Sequence, residues 1–428
     1  MNLAEMLSFA DIHQLNRIAK YYACECSTNS KRELIQSILD KMNRTEVFEE
    51  YIAQLTVEEI RFLNSLVFDQ RDAFSLEELL ARAQVSRFDS AKPELSRLGT
   101  SEVNHELLSA VTMQLKPEPV KQSSRSRRKP KKQENSEQKP WSPREMVLKF
   151  AQQGWLFNGY SHHTKYLYQV PADLKRRFGE TLLRSFKRQL RMVDEPSVYR
   201  DEERLLVEDI GRFLKFLYHR SAELNTDGVM YKKTQQQLFE TFHVKEEPVG
   251  KGGWRFGYGR KIKDYPNRFS LIYDYCFYNG LIEEAERELT LTPAGEQLVS
   301  KGIVKDPSSV YQFWLKLYRN PIHNIQSIVH WIDRLADKWI SLDALSDVLT
   351  KLIKPYYYDD PDSILRNRIV AMMMHQGLLR IGEHEEAGTV IRMTKIGSSI
   401  IKGIYVPEED KIKLPDQDPP RRLPEIGI

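Results

Sequence analysis

Phe269-Ser270-Leu271-Ile272-Tyr273-Asp274-Tyr275-Cys276-Phe277-Tyr278-Asn279-Gly280-Leu281-Ile282 opens the stretch from which the fold is read. It continues through Glu288-Leu289-Thr290-Leu291-Thr292-Pro293-Ala294-Gly295 and closes at Gly302. The helix carrying Tyr273, Phe277 and Tyr278 stops at Asn279-Gly280, and Leu281-Ile282 begin a strand. Residues Glu283–Arg287 turn, Glu288–Leu291 return as a second strand, and Thr292-Pro293-Ala294-Gly295 opens another helix. Each punctuation mark has a physical cause. Glycine after a helix takes the left-handed conformation without steric cost. Threonine offers an N-cap oxygen, and proline at the first helical position gives up only an N–H that has no helical partner.

The same order recurs over Ile369–Gly403. A helix through Ile369, Val370 and Met373 stops at Gln376-Gly377, Leu378–Ile381 and Val390–Met393 form a hairpin around Glu383–Gly388, and Thr394-Lys395-Ile396-Gly397 opens a helix. A third copy begins with the helix Arg144–Gln153, stops at Gly154, and passes through strands Trp155–Phe157 and Tyr166–Val170 into Pro171-Ala172-Asp173-Leu174. Recurrence of this kind marks a repeated structural unit, and a helix followed by a two-stranded hairpin is the second half of a winged helix. A generic surface hairpin gives the same pattern once.

Outward from these copies, residues 1–115 read as helical. Ile12, Leu15, Ile18, Ala19 and Tyr22 form a stripe within a helix over Phe9–Ala23, and Ser30 caps Lys31–Met42. Helices are also expected over Val57–Phe68, Ser75–Ala83 and Ser86–Leu98. The first two helices resemble a SAP-type hairpin. Residues 116–143 are rich in Lys, Arg, Ser, Gln and Pro and nearly free of apolar side chains, a composition that does not repay the entropy of ordering.

The expected fold class is mainly α with small β-hairpins. It comprises a SAP-like helical domain (1–115), a basic disordered linker (116–143), tandem winged-helix-like modules (144–200, 201–303 and 304–405) and a flexible tail (406–428).

Composition agrees with several domains in 428 residues, with 41% hydrophobic and 29% charged residues. Glu5 and Asp11 interrupt the N-terminal apolar pattern, so no signal peptide is expected. No run approaches the ~20 apolar residues of a membrane span. Three cysteines, Cys24, Cys26 and Cys276, make no disulfide framework. The expectation is a cytoplasmic chain without membrane contact, with nucleoid association open.

The chain resembles a family of bacterial helicase-associated proteins that share a domain with the N-terminus of XPB-type DNA helicases. The residues carrying the resemblance are Tyr166–Leu174, Asp227-Gly228-Val229-Met230-Tyr231-Lys232-Lys233 and Leu289–Gly295. The resemblance implies a DNA-associated protein without a motor, accompanying helicase or repair machinery. Consistent with that, Gly250-Lys251-Gly252-Gly253 runs into Trp254-Arg255-Phe256 and is no phosphate-binding loop of the Gly-x-x-x-x-Gly-Lys-Ser/Thr kind.

Net charge is only +4, so partners are argued from distribution. DNA contacts are expected from Arg127, Arg128 and Lys129 in the linker, from Arg176, Arg177, Lys187, Arg188 and Arg191 on a cationic helix face, and from Lys232 and Lys233. The aromatic, glycine-rich stretch adds Lys251, Trp254, Arg255, Arg260 and Lys261. The same charges also suit a solvated tether and a solvated helix face, in which case the modules dock a helicase or polymerase instead. Cys24-x-Cys26 lacks a second ligand pair for zinc. Asp359, Asp360 and Asp362 read as a turn capping the helix from Ser363 rather than a nuclease site. No enzyme and no cofactor is expected.

Overall fold

The computed structural model describes residues 1–88, 142–250, 255–302, 306–407 and 410–412. Short polar side chains start the first helices. Asn2 and Glu5 form a capping box on α1 (Leu3–Phe9), Asp11 caps α2 (Ile12–Tyr21), and Ser30 accepts from Glu33 N at the start of α3 (Lys31–Asn43). The single helix expected from Phe9 is divided because Ala10 is extended and Asp11 restarts the chain. A fourth helix, α4 (Thr45–Ala53), completes this layer.

Beyond it, one succession of elements occurs three times. The first unit comprises α5 (Val57–Val67), β1 (Ala73–Phe74), α6 (Leu76–Ser86), α7 (Pro143–Gln152), β2 (Phe157–Asn158), β3 (Tyr168–Gln169) and α8 (Ala172–Lys187). A separate strand, β4 (Val198–Arg200), precedes the second unit. That unit comprises α9 (Leu205–His219), β5 (Ala222–Glu223), α10 (Lys232–Thr241), α11 (Asn267–Tyr278), β6 (Ile282–Glu284), β7 (Glu288–Leu291) and α12 (Pro293–Ser300).

After α13 (Pro307–Tyr318), the third unit contains α14 (Ile325–Leu335), β8 (Ile340–Ser341), α15 (Leu342–Leu349) and a 3-10 turn at Thr350–Leu352. Its third helix is built from α16 (Pro361–Ser363), a π-helical stretch Ile364–Val370 and α17 (Ala371–His375). A hairpin of β9 (Leu379–His384) and β10 (Gly388–Met393) leads to α18 (Lys395–Gly403). The architecture is therefore mainly helical with small antiparallel sheets. In each sheet the unit's lone first strand pairs with the second strand of its hairpin, giving orders β1-β3-β2, β5-β7-β6 and β8-β10-β9, with β4 added outside β9.

This pairing corrects two expected boundaries. Ala73 sits opposite Gln169 and Phe74 opposite Tyr168, so the first unit draws strands from both sides of residues 89–141. The expected separation at 116–143 falls inside one unit. β4, which lies at the end of the expected module 144–200, pairs in the third unit's sheet, with Tyr199 opposite Gly382. Most buried apolar residues from Leu3 to Val406 form one connected cluster, with Trp339, Ala387 and Val390 in a second, so the units share a core.

The second and third units agree to individual hydrogen bonds. Thr292 N donates to Leu281 O at 3.1 Å and Thr394 N to Leu378 O at 3.0 Å. The two threonine hydroxyls donate to Gly280 O and Gly377 O and accept from Gly295 N and Gly397 N. A Cβ at Gly295 would stand 2.1 Å from Leu281 O, and one at Gly397 would stand 2.1 Å from Leu378 O. The glycine lets the new helix press against the backbone that leads into the hairpin's first strand. In the first unit Pro171 holds the capping position without a side-chain cap.

Between the second unit's core and residues 259–260 lies Asp274, fully buried, whose Oδ2 accepts from Arg260 N at 2.9 Å. Burial pushes this carboxyl up to about 7, and burial does the same to Glu246. A raised native value means that the unfolded chain releases these protons first. Stability contributed by the neutral forms is complete below about pH 4 and declines as pH rises toward 7. Asp69 has the opposite sense: burial opposes it, but the guanidinium of Arg71 holds it at about 2, so its contribution is lost only in strong acid. Thermal unfolding followed from pH 5 to 8 is expected to show a falling midpoint, and Asp274→Asn to flatten that fall. A midpoint that rises over this interval in the parent chain contradicts the assignment.

Candidate nucleic-acid interface

A helix enters a nucleic-acid groove only through a face that solvent reaches, and the third helices of the three units differ in this respect. In the second unit, every residue of α11 from Arg268 to Cys276 is buried. In the third, Ile364, Leu365, Ile369, Val370, Met372, Met373 and Met374 are buried, and Arg368 is spent on Asp359 at 2.8 Å. In the first, α7 buries Met146, Val147 and Phe150 but exposes Arg144, Glu145, Leu148 and Gln152 along one side. The hairpin of that unit carries His162, His163, Lys165 and Tyr166 in exposed positions, with Lys165 Nζ 4.8 Å from the Tyr166 ring centre. The loop of the third unit's hairpin is acidic instead, with Glu385 and Glu386, and that of the second sets Glu286 beside Arg287.

Behind this face the packing is rigid. Trp155 Nε1 donates to the Tyr22 hydroxyl at 2.9 Å, and that hydroxyl donates to Gln153 O at 3.0 Å. Gly154, left-handed at φ +68°, lies against Ile18 of α2. The layer of α1–α4 thus braces the end of α7.

The cations expected to touch DNA do not gather on one surface. Lys187 lies 3.1 Å from Asp337, Arg188 3.3 Å from Glu49, and Arg191 3.0 Å from Glu386. Arg177 lies over the Phe48 ring at 4.4 Å. Arg260 forms a two-pronged pair with Glu284 and covers Phe277, which holds its guanidinium above the ordinary value, while Lys261 is buried and donates to Asp227 O and Gly228 O. Arg255 donates to Asn267 Oδ1 at 2.7 Å. Lys232 and Lys233 are exposed at the start of α10, and Arg176 is largely exposed with only Glu180, 3.9 Å away, beside it. Arg127, Arg128, Lys129, Lys251 and Trp254 lie outside the described residues.

The acidic stretch is fully committed to structure. Asp360 caps Ser363, Asp362 binds Ser346 and Arg366, and Asp359 accepts from Arg368 and the Tyr258 hydroxyl. Among the described residues no group of three or more His, Cys, Asp or Glu side chains is placed to hold a metal ion, and no helix is long and apolar enough to cross a membrane. Cys24 and Cys26 are half-buried free thiols. No family model, curated protein or solved structure matches the chain.

Proposed function

We propose that this chain is a non-catalytic DNA-binding accessory protein built from three winged-helix units, in which the first unit meets the nucleic acid and the other two serve as framework. The succession helix, strand, helix, helix, hairpin, helix, with the lone strand beside the hairpin's second strand, supports the winged-helix reading. The observation that carries the functional reading is the exposed side of α7 and a hairpin bearing Lys165 and Tyr166, where the equivalent helix of the second unit is buried from Arg268 to Cys276 and that of the third is mostly buried, with only Asn367 exposed. Cations at a helix and a hairpin tip fix a phosphate backbone without reading bases. The resemblance to helicase-associated proteins supports a place beside a helicase, which would supply ATP hydrolysis.

Duplex binding measured by fluorescence anisotropy is expected to weaken steeply between about 50 and 200 mM salt. The double variant Arg144→Glu, Lys165→Glu is expected to lose about tenfold in affinity and about two from the salt slope, alike for all sequences. Reversing Arg188 and Arg260, already paired within the fold, has a smaller effect on affinity. Salt-independent or undetectable binding at 50 mM overturns the reading.

Burial of α11 from Arg268 to Cys276 and of most of residues 364–375 also favours a scaffold role for the second and third units, docking a protein partner such as a helicase or polymerase. A stoichiometric partner recovered after complete nuclease treatment supports that role, and loss of all partners on nuclease treatment argues against it.

A further inference from the structure

Gly179 sits buried in the middle of α8, where glycine is a poor helix former. Its missing side chain is space that another residue uses. A Cβ at position 179 would stand 3.0 Å from Arg334 Nη1 and 3.3 Å from Val67 Cγ1. Arg334, in the last turn of α14, enters this gap half-buried, 5.5 Å from the Trp331 ring centre. Among the described residues it has no hydrogen-bond acceptor and no carboxylate at ion-pair distance. Burial outweighs the nearby charges of Glu180 and Asp333 and pushes its guanidinium below the ordinary arginine value, so this cation is removed from water with only partial compensation.

The gap opens into a cleft of about 420 Å³ where α8, α14, α18 and the end of α5 meet. Lys175, Arg176, Arg334 and Lys402 line it around an apolar floor of Phe68 and Ile404. The acids nearby are largely committed. Asp69 is held by Arg71, Arg82 and the Tyr405 hydroxyl, and the buried Asp333 lies 3.6 Å from Lys402. Asp72 lies 3.7 Å from Lys175, and Glu180 lies beside Arg176. Lys175 itself is spent mainly on the backbone carbonyls of Asp69 and Arg71. Arg334 and Arg176 face this space as donors, and Lys402, which donates to Ser398 Oγ at 2.8 Å and lies near Asp333, adds positive charge at the rim.

We propose that this cleft binds a phosphate group of a small phosphorylated ligand, with the guanidinium groups of Arg334 and Arg176 gripping its oxygens and Lys402 at the rim. Two forked donors and an ammonium in one cleft suit a multiply charged anion, and the volume falls within the range of small-ligand sites, about 300–1,000 Å³. The site is separate from α7 and its hairpin, so it stands or falls independently of duplex binding.

Calorimetric titration of the full chain with sodium pyrophosphate at constant ionic strength tests it. Saturable binding is expected, at least about tenfold weaker in Arg334→Gln. Because Arg334→Gln removes a half-buried charge that burial disfavours more than its neighbours compensate, its unfolding midpoint without ligand is expected to equal or exceed that of the parent. Arg176→Gln, altering an exposed side chain, provides a second variant whose folding is not in question and which is also expected to weaken binding. Competition by AMP against adenosine, and by a 5′-phosphorylated trinucleotide against its unphosphorylated form, tells a free nucleotide from a strand end, and phosphate-dependent displacement in either arm supports the site. Absence of saturable pyrophosphate binding, affinity unchanged in both variants, or displacement that ignores the phosphate overturns it.

Discussion

Arg268→Met is expected to destabilise the chain by about 3–5 kcal/mol, because it removes the fully buried cation that two buried carboxylates share, leaving Glu202 with Arg200 at 2.5 Å and Asp209 with only Arg212, 4.0 Å away. Arg268 is fully buried on α11, with Nε 3.1 Å from Glu202 Oε2 and Nη2 2.7 Å from Asp209 Oδ2, both carboxylates being buried as well. Asp209 lies on α9 and accepts from His243 N at 2.7 Å, and Glu202 faces His375 Nδ1 at 3.1 Å. One guanidinium therefore ties the third helix of the second unit to its first helix and, through Glu202, to the end of the third unit's third helix. In calorimetry the unfolding midpoint is expected to fall by on the order of 10 °C. Adding Glu202→Gln and Asp209→Asn is expected to return much of the loss, since the penalty lies in the unpaired charges rather than in the missing attraction. A single variant within about 1 kcal/mol of the parent, measured by urea unfolding, would falsify the network's structural role. The outcome also bears on function. A helix that carries the main buried ion network of its unit is a structural member and is not free to lie in a groove.

Most of the second and third units was legible in the sequence because their punctuation is local. A glycine ending a helix and a threonine starting the next act within a few residues, and Gly280, Thr292, Gly377 and Thr394 all occupy the positions that their chemistry dictates. The first unit was legible only in its second half. Its lone strand, Ala73–Phe74, has two residues and pairs with Tyr168–Gln169. Nothing in so short a stretch announces a partner that far along the chain. Asp11 shows the same limit in reverse: a cap residue inside a continuous apolar stripe reads as part of one helix until the backbone at Ala10 turns extended.

Charge was the least legible property. The sequence displays Arg188, Lys187 and Arg191 as a cationic face, but Glu49, Asp337 and Glu386, which meet them, come from distant elements. Conversely, Arg144 and Lys165 stand out only once folding has buried the equivalent helices of the other units. Arg334 drew no notice at all. The one available signal was Gly179 within an otherwise regular amphipathic helix, which indicates close approach by something and does not say by what.

The repeat makes a sharper prediction when its two best copies are set against each other. Gly280 and Gly377 close equivalent helices with φ of +62° and +69°. A Cβ at Gly280 would meet nothing within 4 Å, whereas one at Gly377 would stand 1.8 Å from Glu203 O and 2.5 Å from Glu203 C. Both alanine variants suffer the left-handed backbone, a strain of about 1 kcal/mol. Only Gly377→Ala also forces two backbone segments apart, and backbone does not yield as a side-chain tip does. Glu203 is itself left-handed, at φ +37°, and follows directly on Glu202 of the buried network, so displacing it disturbs the contact between the second and third units. Gly280→Ala is expected to cost about 1 kcal/mol and Gly377→Ala more than about 3 kcal/mol. Urea unfolding of the two variants side by side decides the matter. Equal losses would mean that only the local turn is felt at both sites, and that the units meet less tightly than the approach of Gly377 to Glu203 requires.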